Sequence, residues 1–543
     1  MLTELNPERI TDNEVRQAVV LLMNLVEKVQ QENARLREEN QALRDENNRL
    51  KGEQGKPQIK AGRKQKANDH SSEKERRIPR ERRKREKRPH LKIDREQVVK
   101  ADKGQLPADA VFKGYEDLVV QDLQIKREVL LIRREKYYSP VEKKTYTAPL
   151  PPGYEGAFGP GVRAMILSLY HVGGMTEPKI KELLDEHGVE ISSGKISMLL
   201  TKDMALWEEE GAALYRAGLA SSLWQHTDDT STRVNGENHH CHVVGNPYYS
   251  WYDTRERKDR LTVIAVLQQK ERPDFLYDER TEDWLQLLDT PQWARDVVKT
   301  WPQAVLLSQE DVALLVASTL AERLNAQQQA RVMEAGALTA YYAQQEMPVV
   351  PILVSDDAAQ FAKITKIQAL CWVHEGRHYK KLTPLLAYHQ QLLAAFHEDF
   401  WQYYRQLLAF KKAPSEPEKE RLELAFDVLF GRETGYEELD KRIAKTRRRK
   451  EKLLVALTYP EVPLHNNLAE LAVRQRVRKR DISFGPRTSE GKKAWDLFAS
   501  LSETSKKLGV SFYQYVFDRV SGAYQMPSLA TLIQELAEQT LPP

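Results

Sequence analysis

Two short strand-like runs, far apart in the chain, each end in a pair of acids, and this feature most constrains the fold; the second run, residues 349–354, is wholly apolar. The first run ends in Asp228 and Asp229, and the second ends in Asp356 and Asp357. A short apolar run bounded by polar residues is typical of a buried strand. We therefore predict that both pairs lie at strand ends of one mixed sheet. The alternative is that each pair marks an ordinary turn, which aspartate also favours.

A third acid, Glu470, lies on a predicted helix near the C-terminal end of the sequence. With Asn467 it also fits the capping-box pattern of a helix start. A dense run of cations follows Glu470 on the same helix: Arg474, Arg476, Arg478, Lys479 and Arg480. This run is where a nucleic-acid backbone would have to lie if the helix borders a catalytic site.

The three separated acids predict a divalent metal site. Mg²⁺ prefers oxygen ligands and is usually held by one or two carboxylates with phosphates and waters. Two such ions, roughly 3.5–4 Å apart, can activate the attacking oxygen and stabilise the leaving one in phosphoryl transfer. We predict Asp228, Asp356 and Glu470 as catalytic, metal-binding residues for Mg²⁺, with Mn²⁺ as an alternative ion. Asp229 or Asp357 takes its neighbour's place if the register is shifted by one residue.

The order of predicted elements indicates an α/β fold. The strand ending at Asp228 is followed by predicted strands at His239–Val244 and Leu261–Leu267, and later by residues 349–354 and Cys371–His374. The helix with Glu470 comes last. This is the order of a ribonuclease-H-like mixed sheet, here over residues 221–505 with large helical insertions at about 268–334 and 384–460. A C-terminal helical segment, 506–543, follows.

The N-terminal residues 1–55 carry a heptad repeat. Leucine and valine recur every seven residues, with asparagines on the partner seam, which predicts a parallel two-stranded coiled coil. The alternative is a single amphipathic helix that packs on its own protein. The predicted self-association residues are Leu22, Val29, Asn33, Leu36, Asn40 and Leu43.

Three smaller segments separate the heptads from the sheet. Residues 56–105 are rich in Lys and Arg and poor in apolar residues, which predicts a largely disordered linker that either binds DNA phosphates or is simply solvated. Residues 106–156 predict a small β-rich segment, with strands at Asp117–Ile125 and Val129–Ile132. Residues 157–220 predict helices, with either a helix-turn-helix or a plain helical domain at about 177–200.

The composition excludes several classes of protein. Two cysteines, Cys241 and Cys371, cannot build a disulfide framework and suit a reducing cytosol. The start of the chain has no signal-peptide pattern, and no apolar run is long enough to span a membrane, so we expect a cytosolic protein. The run His239–His242 invites a zinc interpretation, alone or as Cys241 with Cys371 and His374. Alternating side chains on a strand argue against the former.

The residues quoted above resemble the transposase of the Insertion Sequence 66 family, within the DDE transposase superfamily. The likeness lies in segments 226–230 and 353–361, in the run Cys371–His374 and in Asn466–Glu470, and it extends over most of the chain. A cysteine-rich zinc finger found in many members cannot form here. His465 and Leu471 also depart from the family pattern, which puts finer DNA contacts in doubt.

The resemblance implies a transposase that recognises the terminal inverted repeats of its mobile element. Such an enzyme cleaves there with Mg²⁺ and transfers the 3′-hydroxyl strand into target DNA. It also implies accessory proteins encoded by the element as further partners. Besides the basic run after Glu470, we expect Arg377, Lys380 and Lys381 to contact DNA. The alternatives are a non-catalytic architectural or regulatory DNA-binding protein, or a nuclease of the same fold without strand transfer.

Overall fold

The computed structural model describes residues 6–50, 92–102, 107, 110–123, 125–154 and 156–540. Most of the predicted basic linker, residues 56–91, lies outside the described residues.

The described residues form nine strands and twenty α-helices in chain order. They are α1 (Asn13–Leu50), β1 (Lys136–Ser139), β2 (Lys144–Thr147), α2 (Pro160–His171), α3 (Glu177–Glu186), α4 (Ser193–Thr201), α5 (Ala205–Ala220), β3 (Trp224–Val234), β4 (Glu237–Gly245), β5 (Ser250–Arg255), α6 (Arg260–Leu267), β6 (Phe275–Leu276), α7 (Thr281–Leu287), α8 (Gln292–Val298), β7 (Leu306–Leu307), α9 (Gln309–Thr319), α10 (Ala326–Ala343), β8 (Ile352–Ser355), β9 (Ile367–Leu370), α11 (Trp372–Lys380), α12 (Ala387–Lys412), α13 (Glu416–Phe430), α14 (Glu437–Arg447), α15 (Lys450–Leu453), α16 (Val455–Thr458), α17 (Asn467–Ser483), α18 (Ser489–Lys507), α19 (Phe512–Val520) and α20 (Leu529–Thr540).

The central element is a mixed five-stranded sheet in the order β5-β4-β3-β8-β9. Strands β3, β4 and β5 form an antiparallel meander, and β8 and β9 run parallel to β3. All four residues of β8 are buried, as expected for an inner strand between parallel neighbours. The mixed sheet and its surrounding helices are consistent with a ribonuclease-H-like core.

The predicted third strand is wrong, because Leu261–Leu267 lies within helix α6. Asp259 caps this helix, and its side chain accepts a hydrogen bond from the backbone N–H of Thr262 at 2.9 Å. A short, wholly apolar run fits a buried helix as well as a buried strand, so periodicity could not separate the two. The third strand is β5, whose aromatic residues Trp251 and Tyr252 are buried.

The predicted strand at Cys371–His374 is also wrong. The strand there is β9, which ends at Leu370, and helix α11 begins at Trp372 with Cys371 as its extended N-cap residue. Cys371 N–H still donates to the carbonyl of Ser355 at 3.0 Å, so the chain leaves the sheet at this residue. The cysteine therefore lies at the edge of the sheet that also carries the end of β8.

The β-rich segment predicted for residues 106–156 is largely absent from the described residues of that range. A hairpin of β1 and β2 is present. The described parts of Asp117–Ile125 and Val129–Ile132 form no strand, and their apolar side chains, such as those of Leu118 and Leu131, are exposed. A strand needs a neighbour for its backbone hydrogen bonds, and the described residues of these stretches belong to none of the assigned sheets.

Helices α3 and α4 lie where the helix-turn-helix was predicted, and the Ser192 side chain caps α4 by accepting from Lys195 N–H at 3.2 Å. Among the described helices, none combines the length and apolarity that crossing a bilayer would require.

The helices α12 to α16 enclose an aromatic core of their own. Trp372, at the start of α11, is fully buried among aromatic rings of this insertion, with ring centroids 5.5 Å from Tyr403 and 5.6 Å from Phe400. Its indole N–H donates to the carbonyl of Leu453 at 2.8 Å. The insertion is therefore anchored to the sheet at a point one residue from Cys371.

Helix α1 packs on this insertion through one side. Met23 and Glu27 are buried there, and Glu27 accepts hydrogen bonds from the backbone N–H groups of Leu385 and Leu386 and contacts His389 Nδ1 at 3.2 Å. The heptad leucines lie elsewhere on the helix and are exposed, with Leu36 at 44% and Leu43 at 61%. The single-helix interpretation thus accounts for one face, while the predicted coiled-coil seam stays uncovered in the chain.

Candidate active site

Asp228 and Asp356 occupy equivalent positions on neighbouring parallel strands. His226 of β3 pairs with Val354 of β8, and each acid follows two residues later along its own strand direction. Side chains two residues apart lie on the same face of a strand, and neighbouring strands are about 4.8 Å apart. The register therefore brings the two carboxylates together on one face, with Asp356 just past the end of β8. Asp228 lies within β3, which continues to Val234, so the prediction that this strand ends near Asp228 is wrong.

A buried asparagine joins β3 to the helix that bears Glu470. Asn466 Nδ2 donates to the carbonyl of Thr227 at 2.8 Å, and its Oδ1 lies 2.7 Å from His226 Nδ1. Burial lowers the pKa of His226 to about 3, so the ring is neutral and its Nδ1–H donates to Asn466. Because Glu470 N–H bonds the carbonyl of Asn466 at 3.1 Å, the acid lies one turn into α17 beside Asp228. The sequence motif contained Asn466, but no spacing signal indicated its contact with His226.

The carboxylates are close enough to affect one another. Burial raises the pKa of Asp228 to about 7, and the negative charges of Asp356, Asp229 and Glu470 add to this effect. Like charges that share a pocket disfavour further ionisation. The three predicted acids are therefore near enough for their charges to act on Asp228.

Two side chains from helix α11 contact Glu470. Arg377 lies 3.1 Å from Glu470 Oε2, and His374 Nε2 lies 3.6 Å from Glu470 Oε1. Arg377 also donates to His374 Nε2 at 2.9 Å. Burial lowers the pKa of His374 below its usual value, partly opposed by the charge of Glu470. Both residues are therefore placed at the rim of the acid cluster.

The two neighbouring acids have partners of their own. Asp229 accepts from Gln360 Nε2 at 2.6 Å and lies 3.8 Å from Lys258 Nζ, while Asp357 is paired with Arg449. Asp229 points to the opposite face of β3 from Asp228, as strand alternation requires. This geometry favours Asp228 and Asp356 over their neighbours as the converging pair.

The predicted DNA-contact residues divide into two groups. Five of them are exposed on the α11 and α17 side of the cluster. These exposed residues are Arg377, Lys380, Lys381, Arg474 and Arg478. Arg480 is half-buried and donates to the carbonyl of Ser231.

Arg476 must be withdrawn from the DNA-contact set. It is 3% exposed, pairs with the buried Asp496, donates to Thr254 Oγ1 at 2.7 Å and lies 3.5 Å from the ring centre of Trp495. The sequence around Arg476 does not indicate its ion pair with Asp496, because Asp496 lies on the next helix, α18. Arg476 is therefore a structural residue that ties α17 to α18 and β5.

The side chain of Lys479 likewise points towards the interior of the protein. Its Nζ donates to the carbonyls of Tyr170 and Met175 at 2.7 and 3.0 Å and lies 3.5 Å from the ring centre of Tyr170. Burial lowers the pKa of Lys479 to about 8. This lysine holds α17 against α2, and the phosphate contact predicted for it is wrong.

The zinc set that joined Cys241 to Cys371 and His374 does not assemble. Cys241 is buried with Val243, Tyr252 and Ala472 in a separate apolar cluster. In the described part of the chain, one metal-capable group brings its ligand atoms together, and it contains Cys371, His374 and Glu470 within 4.8 Å of one another.

The acid cluster has the chemistry of a Mg²⁺ site. Its converging donors are carboxylate oxygens, which hard divalent cations prefer. Glu470 Oε1 is buried without a hydrogen-bond partner, and the pKa of Asp228 is raised mainly by burial and further by the neighbouring acids. A divalent cation would satisfy both features, so the residues present fit the ion.

Comparison with known proteins gives two similarities. The chain is 29% identical over 307 residues to "Uncharacterized protein y4jO" of Sinorhizobium fredii (strain NBRC 101917 / NGR234), an alignment that covers 56% of this chain and 94% of that protein. Residues 335–494, which include β8, β9, the insertion and α17, match the family model described as "Transposase IS66 family". The likeness to IS66 transposases is thus found for residues 335–494, a segment that contains Asp356 and Glu470.

Proposed function

We propose that this protein is a transposase that cleaves DNA at the terminal inverted repeats of its mobile element and transfers the freed 3′-hydroxyl strand into target DNA. Asp228, Asp356 and Glu470 are the catalytic residues of this proposal. The observation that carries it is the register that puts Asp228 and Asp356 on one face of neighbouring strands, together with the Asn466 hydrogen bond that ties the start of the Glu470 helix to β3. Mg²⁺ is the proposed ion, with Mn²⁺ as the alternative.

Each of the three acids has a defined part in this site. Asp228 and Asp356 would hold Mg²⁺ from the sheet, and Glu470 would complete the ligand set from α17. When bound, the ions would polarise the phosphate and activate the attacking oxygen. The backbones of β3 and β8 and the hydrogen bonds of Asn466 hold the carboxylates in fixed orientations before DNA binds. This lowers the free-energy cost of assembling the site.

The exposed cations beside the cluster are suited to hold the DNA backbone. Arg377, Arg474 and Arg478 are exposed on the two helices that flank the acids. Arginine forms paired hydrogen bonds to phosphate oxygens, and phosphate contacts fix the register of a protein on DNA. In this proposal Arg377 exchanges its contact with Glu470 for a phosphate when DNA binds.

The two ends of an element must be held by one assembly, and α1 is the proposed pairing element. Its seam residues Leu22, Val29, Leu36 and Leu43 are exposed while the opposite side of the helix is packed on the insertion. Asn33 and Asn40 on the seam favour two parallel strands.

The test uses the full chain with duplexes that carry the terminal repeats of its own element. We expect Asp228→Ala, Asp356→Ala and Glu470→Ala each to lower Mg²⁺-dependent release of a 3′-hydroxyl and strand transfer by at least about 100-fold, the usual cost of losing a preorganised charge-stabilising group. DNA binding should persist. Asp357→Asn is the matched control, because its side chain pairs with Arg449 outside the cluster. Full activity in a triad variant would refute that residue's role.

The same assay separates the two alternatives. An architectural protein would bind these duplexes without releasing a 3′-hydroxyl in Mg²⁺. A nuclease of the same fold would release it but would not join it to a second duplex.

A further inference from the structure

We propose that Cys371, His374 and Glu470 form a binding site for a thiophilic divalent ion such as Zn²⁺, next to the acid cluster. One ligand atom from each residue lies within 4.8 Å of the other two. The site would exist whether or not the acid cluster performs the proposed reaction.

Three features of the backbone bring these ligands together. Cys371 is the N-cap of α11, and His374 follows three residues later in the first turn, so both side chains lie on one side of the helix start. Glu470 reaches them from the first turn of α17. Asn466 N–H lies 3.2 Å from Cys371 Sγ, which links the two helix starts directly.

The unsatisfied atoms in this cluster point to a missing partner. His374 Nδ1 and Glu470 Oε1 are both buried and have no hydrogen-bond partner. Buried polar atoms without partners cost free energy and are uncommon in folded proteins. A metal ion would use one nitrogen and one oxygen that the protein alone leaves unpaired.

The donor set selects a different ion from the carboxylate cluster. One sulfur, one imidazole nitrogen and one carboxylate oxygen suit Zn²⁺, whereas Mg²⁺ takes oxygen ligands. Zinc bonds of about 2.0–2.3 Å place ligand atoms roughly 3.3–3.8 Å apart, and one ligand atom from each of Cys371, His374 and Glu470 already lies within 4.8 Å of the other two. A metal ion on His374 Nδ1 leaves the proton on Nε2, so Arg377 would release that nitrogen when the ion binds. Three protein ligands leave a fourth position for water or another oxygen, as in open zinc sites.

Burial keeps the Cys371 side chain protonated, as a thiol, in the metal-free protein. It raises the pKa of Cys371 to about 11, and backbone N–H groups of His374 and Asn466 partly oppose this shift. Metal binding therefore displaces the thiol proton to the solvent, and a bond forms between the sulfur and the ion. The N–H groups that already face the sulfur would stabilise the resulting thiolate.

Occupation of this site would take Glu470 from the acid cluster. A Zn²⁺ ion on Glu470 Oε1 competes with Mg²⁺ for the same carboxylate, so micromolar Zn²⁺ should inhibit Mg²⁺-dependent cleavage. This consequence rests on the proposed function, whereas the binding itself does not.

The experiment uses Co²⁺ as a spectroscopic probe on the metal-free full chain, without DNA. We expect one tightly bound Co²⁺ with a near-ultraviolet charge-transfer band from a single thiolate, and its displacement by Zn²⁺. Cys371→Ser should abolish the band and weaken Zn²⁺ binding by more than about 100-fold, because even partners one shell outside the ligands contribute roughly 10–100-fold. His374→Gln should weaken binding without removing the thiolate.

Cys241→Ser is the matched control, because it removes the other buried thiol from the separate cluster with Tyr252. It should keep the band. Zinc X-ray absorption of the unmodified chain gives an independent readout that does not depend on a variant folding, and one sulfur among nitrogen and oxygen ligands is expected. Absence of sulfur from the zinc shell, or a band that survives Cys371→Ser, would overturn the site. Failure of DNA cleavage would leave this result unaffected.

Discussion

Asn466 Oδ1 lies 2.7 Å from His226 Nδ1, and this contact fastens the strand that carries Asp228 to the helix that carries Glu470. Asn466→Ala removes it together with the hydrogen bond to Thr227, and it leaves two buried polar groups unsatisfied. We expect a loss of about 2–6 kcal/mol in the free energy of unfolding, at roughly 1–3 kcal/mol for each of the two groups. Urea denaturation measures the effect.

The same variant should bind Mg²⁺ more weakly while it is still folded, because Glu470 is no longer held beside Asp228. Calorimetric titration of Mg²⁺ well below the melting temperature checks this. Asn238→Ala is the control, since Asn238 is exposed near the far end of the same sheet, and it should change stability by less than about 0.5 kcal/mol. Wild-type Mg²⁺ affinity in folded Asn466→Ala would contradict the positioning role.

Asp228 should destabilise the metal-free protein at neutral and alkaline pH. Its folded pKa of about 7 lies above the ordinary value of a carboxyl, mainly because of burial. The folded state therefore holds the proton more tightly, and stability falls as pH rises from about 4 to 7 and then levels off.

Asp228→Asn removes this dependence. We expect it to be more stable than the unmodified chain at pH 8 without metal, by about 1–3 kcal/mol once partial solvent screening is discounted. The two proteins should converge near pH 4. Added Mg²⁺ should stabilise the unmodified chain more than the variant, because binding to the folded state shifts the unfolding equilibrium. Thermal melts across this pH range, with and without Mg²⁺, measure all three effects.

Arg476 and Arg478 should differ sharply although both belong to one basic run. Arg476→Ala leaves Asp496 as an unpaired buried charge, so we expect a loss of about 3–5 kcal/mol in stability. Arg478→Ala changes an exposed side chain and should alter stability by less than about 0.5 kcal/mol.

Their DNA affinities distinguish the roles further. Arg478→Ala should weaken binding across all sequences and lower the slope of log affinity against log salt by about one. Fluorescence anisotropy at several salt concentrations gives this slope. A stable Arg476→Ala protein with a reduced salt slope would show that the burial of Arg476 has been misjudged.

The sequence was sufficient for the features that local pattern determines. Asp228 and Asp356 each follow a strand-like run, of which the second is wholly apolar, and their order along the chain placed them on one sheet. The strand predicted at Leu261–Leu267 was wrong because its apolar side chains suit a buried helix equally well. The residue that indicates a helix is Asp259, which caps the start of α6.

Contacts between distant segments could not be predicted in this way. Nothing local to Arg476 indicates Asp496, and nothing local to Glu27 indicates His389, because each pair is created by the packing of separate helices. The contact of Asn466 with His226 joins residues from opposite ends of the catalytic segment. These contacts position the candidate site, whereas the acids themselves were visible in the sequence.

Helix α1 should pair with a second copy through the side that its own chain leaves uncovered. Leu36 and Leu43 are exposed on the heptad seam, while Met23 and Glu27 on the other side are buried against the insertion. Leu36→Glu with Leu43→Glu places like charges across the predicted seam and should convert a dimer to a monomer without changing the melting temperature of the monomer. Sedimentation equilibrium over a range of concentrations measures the change.

Met23→Ala is the matched control: it should lower stability by about 2 kcal/mol or more, as for a buried methionine, and preserve the dimer. A dimer that survives both glutamates would place self-association elsewhere in the chain, and a monomeric Met23→Ala protein would mean that docking on the insertion is needed to present the seam.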